Sequence, residues 1–147
     1  MSVATLPNVQ DWIDQLRTAA PSLLHVGDSI DLAQALTTLS FESPSAYVVL
    51  AGERPALNPA VNGVAQETGV DVAVVFLVHN FRTDDPEPGG DEGLRLARAA
   101  ALGALLNWAP ANADPIEYAG GARVAGIDAN VLIWQDDYST RYLLRSV

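Results

Sequence analysis

Two histidines, two acidic pairs and two glycine pairs are the residues of this chain whose types could do chemistry. His25 and His79 are the general-base candidates, because imidazole titrates near neutral pH. His79 lies a few residues before Asp84-Asp85. An acid–base or metal site would also need a third convergent group, and the sequence offers none. Both histidines are therefore expected as structural side chains at or beside strand ends. Asp84-Asp85 and Asp136-Asp137 could bind a divalent cation as carboxylate pairs. Neither has EF-hand spacing, and adjacent residues of a strand point to opposite faces. Asp84-Asp85 is expected in a solvated loop. Asp136-Asp137 is expected at a bend or bulge between Trp134 and Tyr138, with a contact role at an interface. Gly89-Gly90 and Gly120-Gly121 lack the neighbours of a phosphate loop and are expected as turns or a bulge.

The sequence contains no G-x-S-x-G elbow, P-loop, H-E-x-x-H or dinucleotide fingerprint. It has no cysteine, which removes thiol catalysis and cysteine-based zinc sites. No catalytic residue, metal site or cofactor is expected, and the chain is not expected to be an enzyme. The formal net charge is −10, and all eight basic residues are arginine. Duplex DNA binding requires several basic contacts to phosphate. These arginines are scattered and mostly near acids, so specific nucleic-acid binding is not expected. On charge alone the acidity is expected simply to keep the protein soluble, and it is also compatible with a wall past which DNA slides without adhering. The first residues have neither a basic n-region nor an apolar h-region, so no signal peptide is expected. The longest apolar run, Val72 to Val78, is too short to span a bilayer, and no membrane association is expected.

The elements that would position these residues come from periodicity. The 147 residues suggest one domain. Asn8 can cap a helix in which Val9, Trp12, Ile13, Leu16 and Ala20 recur at helical spacing, and Pro21 stops it. A short strand through Leu23, Leu24 and Val26 follows. A second helix begins at Ser29, with Leu32, Leu36 and Leu39 as its buried stripe and Ile30 and Ala33 beside it. Ala46 to Ala51 is a strand, and Gly52 to Gly63 is a long exposed loop. Ala65 to Asn80 is a strand whose centre is apolar on both faces, so it should be covered on both sides. Arg82 to Gly90 is a second polar loop. A third helix runs from Asp91 to Trp108, about 25 Å long, with Leu94, Ala97, Ala101, Leu105 and Trp108 facing the core. Pieces of strand follow at Ile116 to Tyr118 and Ala122 to Ala125. The last one or two strands are Val131 to Trp134 and Tyr138 to Leu144, after a turn at Asp128-Ala129-Asn130. The fold class is thus α/β (α+β): a mixed, largely antiparallel sheet of four to six strands against two to three helices, in the order α-β-α-β-β-α-β-β. Trp12, Trp108 and Trp134 are expected in the core, and Tyr118, Tyr138 and Tyr142 are candidates for interface anchors.

The order of several segments resembles one family. A strand from Gln66 through Val72-Ala-Val-Val-Phe76 leads into a polar loop at Asn80 to Gly90. A long Ala/Leu helix closes in Leu106-Asn107-Trp108-Ala109-Pro110. Tyr118-Ala119-Gly120-Gly121 and Ile133-Trp134-Gln135-Asp136-Asp137-Tyr138-Ser139-Thr140 follow. From about residue 9 to 145 this resembles the tail terminator (tail completion) proteins of long-tailed bacteriophages and prophages. Many such proteins have glycine where this chain has Asn107. The resemblance implies a structural protein of the virion tail that works in the host cytoplasm during assembly. It implies a homo-oligomer, a hexameric ring on the last ring of the tail tube. That ring ends tube polymerisation and docks the head–tail connector, with DNA passing through the lumen.

The partners implied are therefore other copies of the chain, the tube protein and the connector. The two loops are expected to reach neighbours. Arg54 and Asn58 are the candidate interface residues in the first loop, and Arg82, Asp84, Asp85 and Glu87 in the second, with Asp136 and Asp137 added from the last strand. Two other readings stand beside this one: a head–tail connector or other tail component, and a small ligand-binding or enzymatic α/β domain.

Overall fold

In the computed structural model, residues 5–80, 90–124 and 130–146 are described. Eight elements follow one another: α1 (Val9–Ala19), β1 (His25–Gly27), α2 (Ser29–Thr38), β2 (Ser45–Pro55), β3 (Val64–His79), α3 (Gly90–Leu105), β4 (Glu117–Val124) and β5 (Val131–Ser146). This is the expected order. The strands form one five-stranded sheet in the spatial order β1-β2-β3-β5-β4. Only β1 and β2 are parallel; every other neighbouring pair is antiparallel.

Local chemistry sets the helix starts. The Asn8 side chain accepts a hydrogen bond from the Gln10 amide at 3.0 Å and caps α1. At the other end of α1, Arg17 donates to the Val26 carbonyl at 2.8 Å, which ties the helix to β1. Asp28 and Asp31 form a reciprocal capping box at the start of α2. The backbone hydrogen bond from Asp31 is the main reason that the Asp28 carboxyl is held below the usual aspartate range. Gly27 is required beside this box, because a Cβ there would collide with the Asp31 side chain.

The central strand decides the layering. Val72 to Val78 are all buried, as the two-sided apolar run predicts. Alternate residues face two cores. Val72, Val74, Phe76 and Val78 pack with Trp12 and Leu16 of α1 and with Leu94, Ala97, Ala101 and Leu105 of α3. Trp12 stands edge-on to Trp108 and Tyr138, with ring centroids 6.1 and 6.3 Å apart. On the opposite face Tyr47, Val75, Leu77, Val131 and Ile133 pack with Ala35 of α2.

Four expectations need correction. In α2 the buried side chain is Ala35, while Leu32 and Leu36 are half-buried and Leu39 and Ile30 are exposed. A small residue at the contact lets the helix lie close to the sheet, and Leu39 is the left-handed C-cap, with φ 54°. The supposed loop from Gly52 is strand as far as Pro55, because Gly52 to Pro55 pair with Asp71 to Thr68 of β3. Helix α3 ends at Leu105 rather than Trp108. Asp136-Asp137 is neither bend nor bulge: β5 runs unbroken from Val131 to Ser146. The irregularity lies opposite, in β4 between Tyr118 and Gly120. The expected turn at Asp128-Ala129 lies outside the described residues.

Candidate assembly interface

Beyond the helices, β2, β3 and β5 continue as a three-stranded ribbon whose root, at Val70 and Tyr142, is still part of the core. Its pairs run from Gly52↔Asp71 to Pro55↔Thr68 and from Val64↔Ser146 to Asp71↔Ser139. The connection between β2 and β3, residues 56–63, forms the tip. Asn58 shapes it from inside: its side-chain oxygen accepts from the Ala60 and Ala65 amides at 3.2 and 3.0 Å, and its nitrogen donates to the Gly63 carbonyl at 3.1 Å. Two large apolar side chains are thereby presented to solvent, Leu57 at 93% and Val61 at 97% of full exposure. The twelve residues from Pro55 to Gln66 carry no charge. In a chain of net charge −10 this is a surface that another acidic protein can approach with little repulsion.

Charges frame the base of this arm. Arg54 makes a two-pronged ion pair with Asp71, at 3.0 and 2.8 Å. Arg54, Glu67, Asp114, Glu117, Ser139 and Arg141 line an open groove of about 1000 Å³ beside it. Arg141 and Asp114 face each other across 3.5 Å. With two arginines and three carboxylates, the groove is a surface of mixed sign.

Behind the groove a buried carboxylate holds α3, β4 and β5 together. Asp136 is fully buried. It accepts both prongs of the Arg98 guanidinium, at 2.9 and 3.0 Å, the Trp134 indole N–H at 2.7 Å and the Tyr118 hydroxyl at 3.2 Å. The Arg98 guanidinium also lies over the Trp134 ring, 4.5 Å from its centroid. The hydrogen bond to Asp136 is the first cause that raises the Arg98 pKa. Burial, and then the Asp136 charge, push the Tyr118 hydroxyl up. Gly121 passes so close that a Cβ would collide with the Asp136 carboxylate and lie 2.7 Å from the Tyr118 hydroxyl. The geometry offers this carboxylate four donors and no approach for a substrate.

The family model for the phage tail terminator protein matches residues 1–146. The chain belongs to the phage tail terminator family. No similar sequence was found among curated proteins. Among solved structures, a chain from the virion of a native gene transfer agent particle is similar. It is 16% identical over 92% of this chain and 84% of that one, with a TM-score of 0.42.

Terminator membership gives Asn107 a physical meaning. Its φ is 66°, in the left-handed region where glycine is favoured and asparagine is among the better tolerated alternatives. The resemblance expects glycine at this position. Arg54 and Asn58 lie together on the arm, at its base and tip. Asp137 is half-buried on the face of the sheet that carries Ile133, and it accepts from Gln135 at 2.8 Å. Asp136 points inward to Arg98 instead. Arg82, Asp84, Asp85 and Glu87 lie outside the described residues. His25 opens β1 and His79 closes β3, and their rings pack on Tyr47 and Phe41. Among the described residues no three acidic or histidine side chains converge as a metal site would require. No helix of the described residues is long and apolar enough to cross a membrane. Sequence reasoning missed the apolar tip and the role of Arg98. The tip had a signal, Leu57 and Val61 each standing just before a turn dipeptide, Asn58-Pro59 and Asn62-Gly63; Arg98 had none, because its partner is 38 residues away.

Proposed function

We propose that this tail terminator caps the growing end of a tail tube as a ring, ends polymerisation of the tube and provides the face on which the head connector docks. The family match across residues 1–146 carries this reading. The fold supplies suitable parts: a core packed on both faces of the sheet, and an arm with an uncharged, preformed apolar tip. The protein has a structural role and no catalytic one. Its partners are other copies of itself in a hexameric ring, the tube protein and the connector. It belongs to the virion tail and assembles in the host cytoplasm, while DNA passes through the lumen without specific contacts. Arg54, Asn58 and Asp137 contribute to the interfaces, as do Arg82, Asp84, Asp85 and Glu87. Asp136 contributes indirectly, by holding β4 in place.

Electron microscopy of tails made with and without the gene tests the proposal. Overlong or headless tails are expected without it, with normal tails restored by adding purified protein. Normal tail length and normal joining to heads would overturn the proposal. A variant carrying Leu57→Asp and Val61→Asp is expected to fold and yet fail to restore the tails. Full restoration would remove the arm from the mechanism.

A further inference from the structure

The five-stranded sheet has two open edges, and they match. Strand β1 covers only Ser45 to Tyr47 of β2. The rest of β2, Val48 to Pro55, has no strand on its outer side among the described residues. At the other end, among the described residues, β4 pairs with β5 alone and is exposed along nearly its whole length. Following the pairings across the sheet, β4 runs antiparallel to β2. A β4 laid beside the β2 of a second copy therefore continues the antiparallel alternation without a break.

The two edges also agree in length, charge and shape. Each offers eight residues, Val48 to Pro55 and Glu117 to Val124. Each carries one acid and one base, Glu53 with Arg54 and Glu117 with Arg123, so both are neutral in a strongly acidic chain. Setting Arg54 opposite Glu117 pairs opposite charges and gives an overlap that stops short of β1, from Glu117↔Arg54 to Arg123↔Val48. In this register the bulge of β2, between Leu50 and Gly52, and that of β4, between Tyr118 and Gly120, lie beside each other. Bulges bend and twist a strand locally, so the two edges curve at the same place. The small residues Ala119 to Ala122 allow close approach there.

We infer that copies of this chain join edge to edge, β4 of one against Val48 to Arg54 of the next. The contact is head-to-tail, and such contacts close into rings when the rotation permits. This deepens the ring reading above and rests on it for closure.

Cysteine pairing tests the contact, since the native chain has no cysteine. Two double variants are used, Arg54→Cys with Glu117→Cys, and Gly52→Cys with Ala119→Cys. A Cβ at Gly52 meets nothing within 4 Å. Within one chain each pair lies three strands apart, roughly 14 Å at the usual strand spacing, beyond the reach of a disulfide. Oxidation of concentrated protein, and of tails carrying it, is expected to give a ladder of multimers that collapses on reduction. Single variants mixed one to one are expected to stop at dimers. Native mass measurement and microscopy of the same samples report whether rings exist. Rings without cross-links in either pair would overturn the edge contact and leave the ring reading standing. No oligomer in solution or on tails would overturn both.

Discussion

The sheet carries two arginine–aspartate pairs of nearly the same geometry in different surroundings. Arg54 grips Asp71 at the base of the arm with side chains 66% and 37% exposed. Arg98 grips Asp136 beneath α3 with side chains 26% and 0% exposed. Each guanidinium uses Nε and Nη2 on the two carboxylate oxygens. The first pair is wetted by solvent, and its partners would be well solvated apart. The second pair has Trp134 and Tyr118 as additional donors, and its carboxylate has no alternative to them. Burial thus turns one chemistry into two roles: a surface pair able to exchange partners, and an internal latch fixing a helix to two strands.

The largest expected effect comes from breaking the latch on its cationic side. Arg98→Leu leaves the Asp136 charge buried with only two neutral donors. A loss of about 3 kcal/mol is expected, as for other buried pairs broken from one side. Asp136→Asn should cost less, because Arg98 is partly exposed and can turn to water. Urea unfolding of both variants checks this. Equal losses, or a loss below about 1 kcal/mol for Arg98→Leu, would place the latch with ordinary surface pairs.

Glycines sharpen the same contrast. Gly121→Ala pushes a methyl group against Asp136, Tyr118 and Trp134, and overpacking of this kind costs about 2 kcal/mol. At the arm, a methyl group on Gly52 meets open space, and Gly52→Ala should leave the unfolding midpoint almost unchanged. Thermal unfolding of the two variants side by side decides the matter, and a midpoint for Gly121→Ala at the wild-type value would show that the latch gives way freely.

The two regions also differ in how far they can be read from the amino acids. Strand β3 is evident from its two-sided valine run, and α1 and α3 from their spacing and caps, because these signals are local. The extension of β2 to Pro55 is hidden. Gly52 and Pro55 look like breakers, and only pairing with Thr68 to Asp71 keeps the backbone extended. Pro55 is tolerated because it ends a strand at the sheet edge. In α2 the leucines mislead in part: Leu32 and Leu36 pack against the core but stay half-buried, Leu39 is exposed, and the side chain fully covered is Ala35. The latch is illegible for a different reason: Arg98 and Asp136 meet only after α3 has packed across the sheet. The tip is half legible. Its turns are plain, and its two exposed apolar residues require knowing that nothing in the fold covers them.

On the arm itself, Arg54→Ala and Asp71→Ala are each expected to change stability by no more than about 0.5 kcal/mol, with salt reducing even that. Chemical unfolding at low and high salt measures it. A salt-insensitive loss above about 1 kcal/mol would make the arm pair a second latch and dissolve the contrast between the regions.

The smallest effect at neutral pH is expected inside the buried region, at an atom the latch does not use. The Tyr138 ring is fully buried between Trp12 and Tyr118, and its hydroxyl is buried with no hydrogen-bond partner among the described residues. Tyr138→Phe keeps the ring and removes an unmet polar group, so stability at pH 7 should be unchanged or higher by up to about 1 kcal/mol. The difference should emerge in alkali. Burial first, and then the Asp136 charge, push the Tyr138 pKa well above the ordinary tyrosine value of 10.0. Above that pH the unfolded chain releases the proton while the folded chain keeps it, so the wild type loses stability as pH rises. Tyr47, Tyr118 and Tyr142 are raised as well, so Tyr138→Phe should flatten the decline above pH 10 without abolishing it. Unfolding curves from pH 8 to 11 measure the slope. An unchanged slope would mean that the hydroxyl finds a solvated path in the native state. Tyr138 would then be less enclosed than Asp136, although both lie in the same strand, two residues apart and facing the same core.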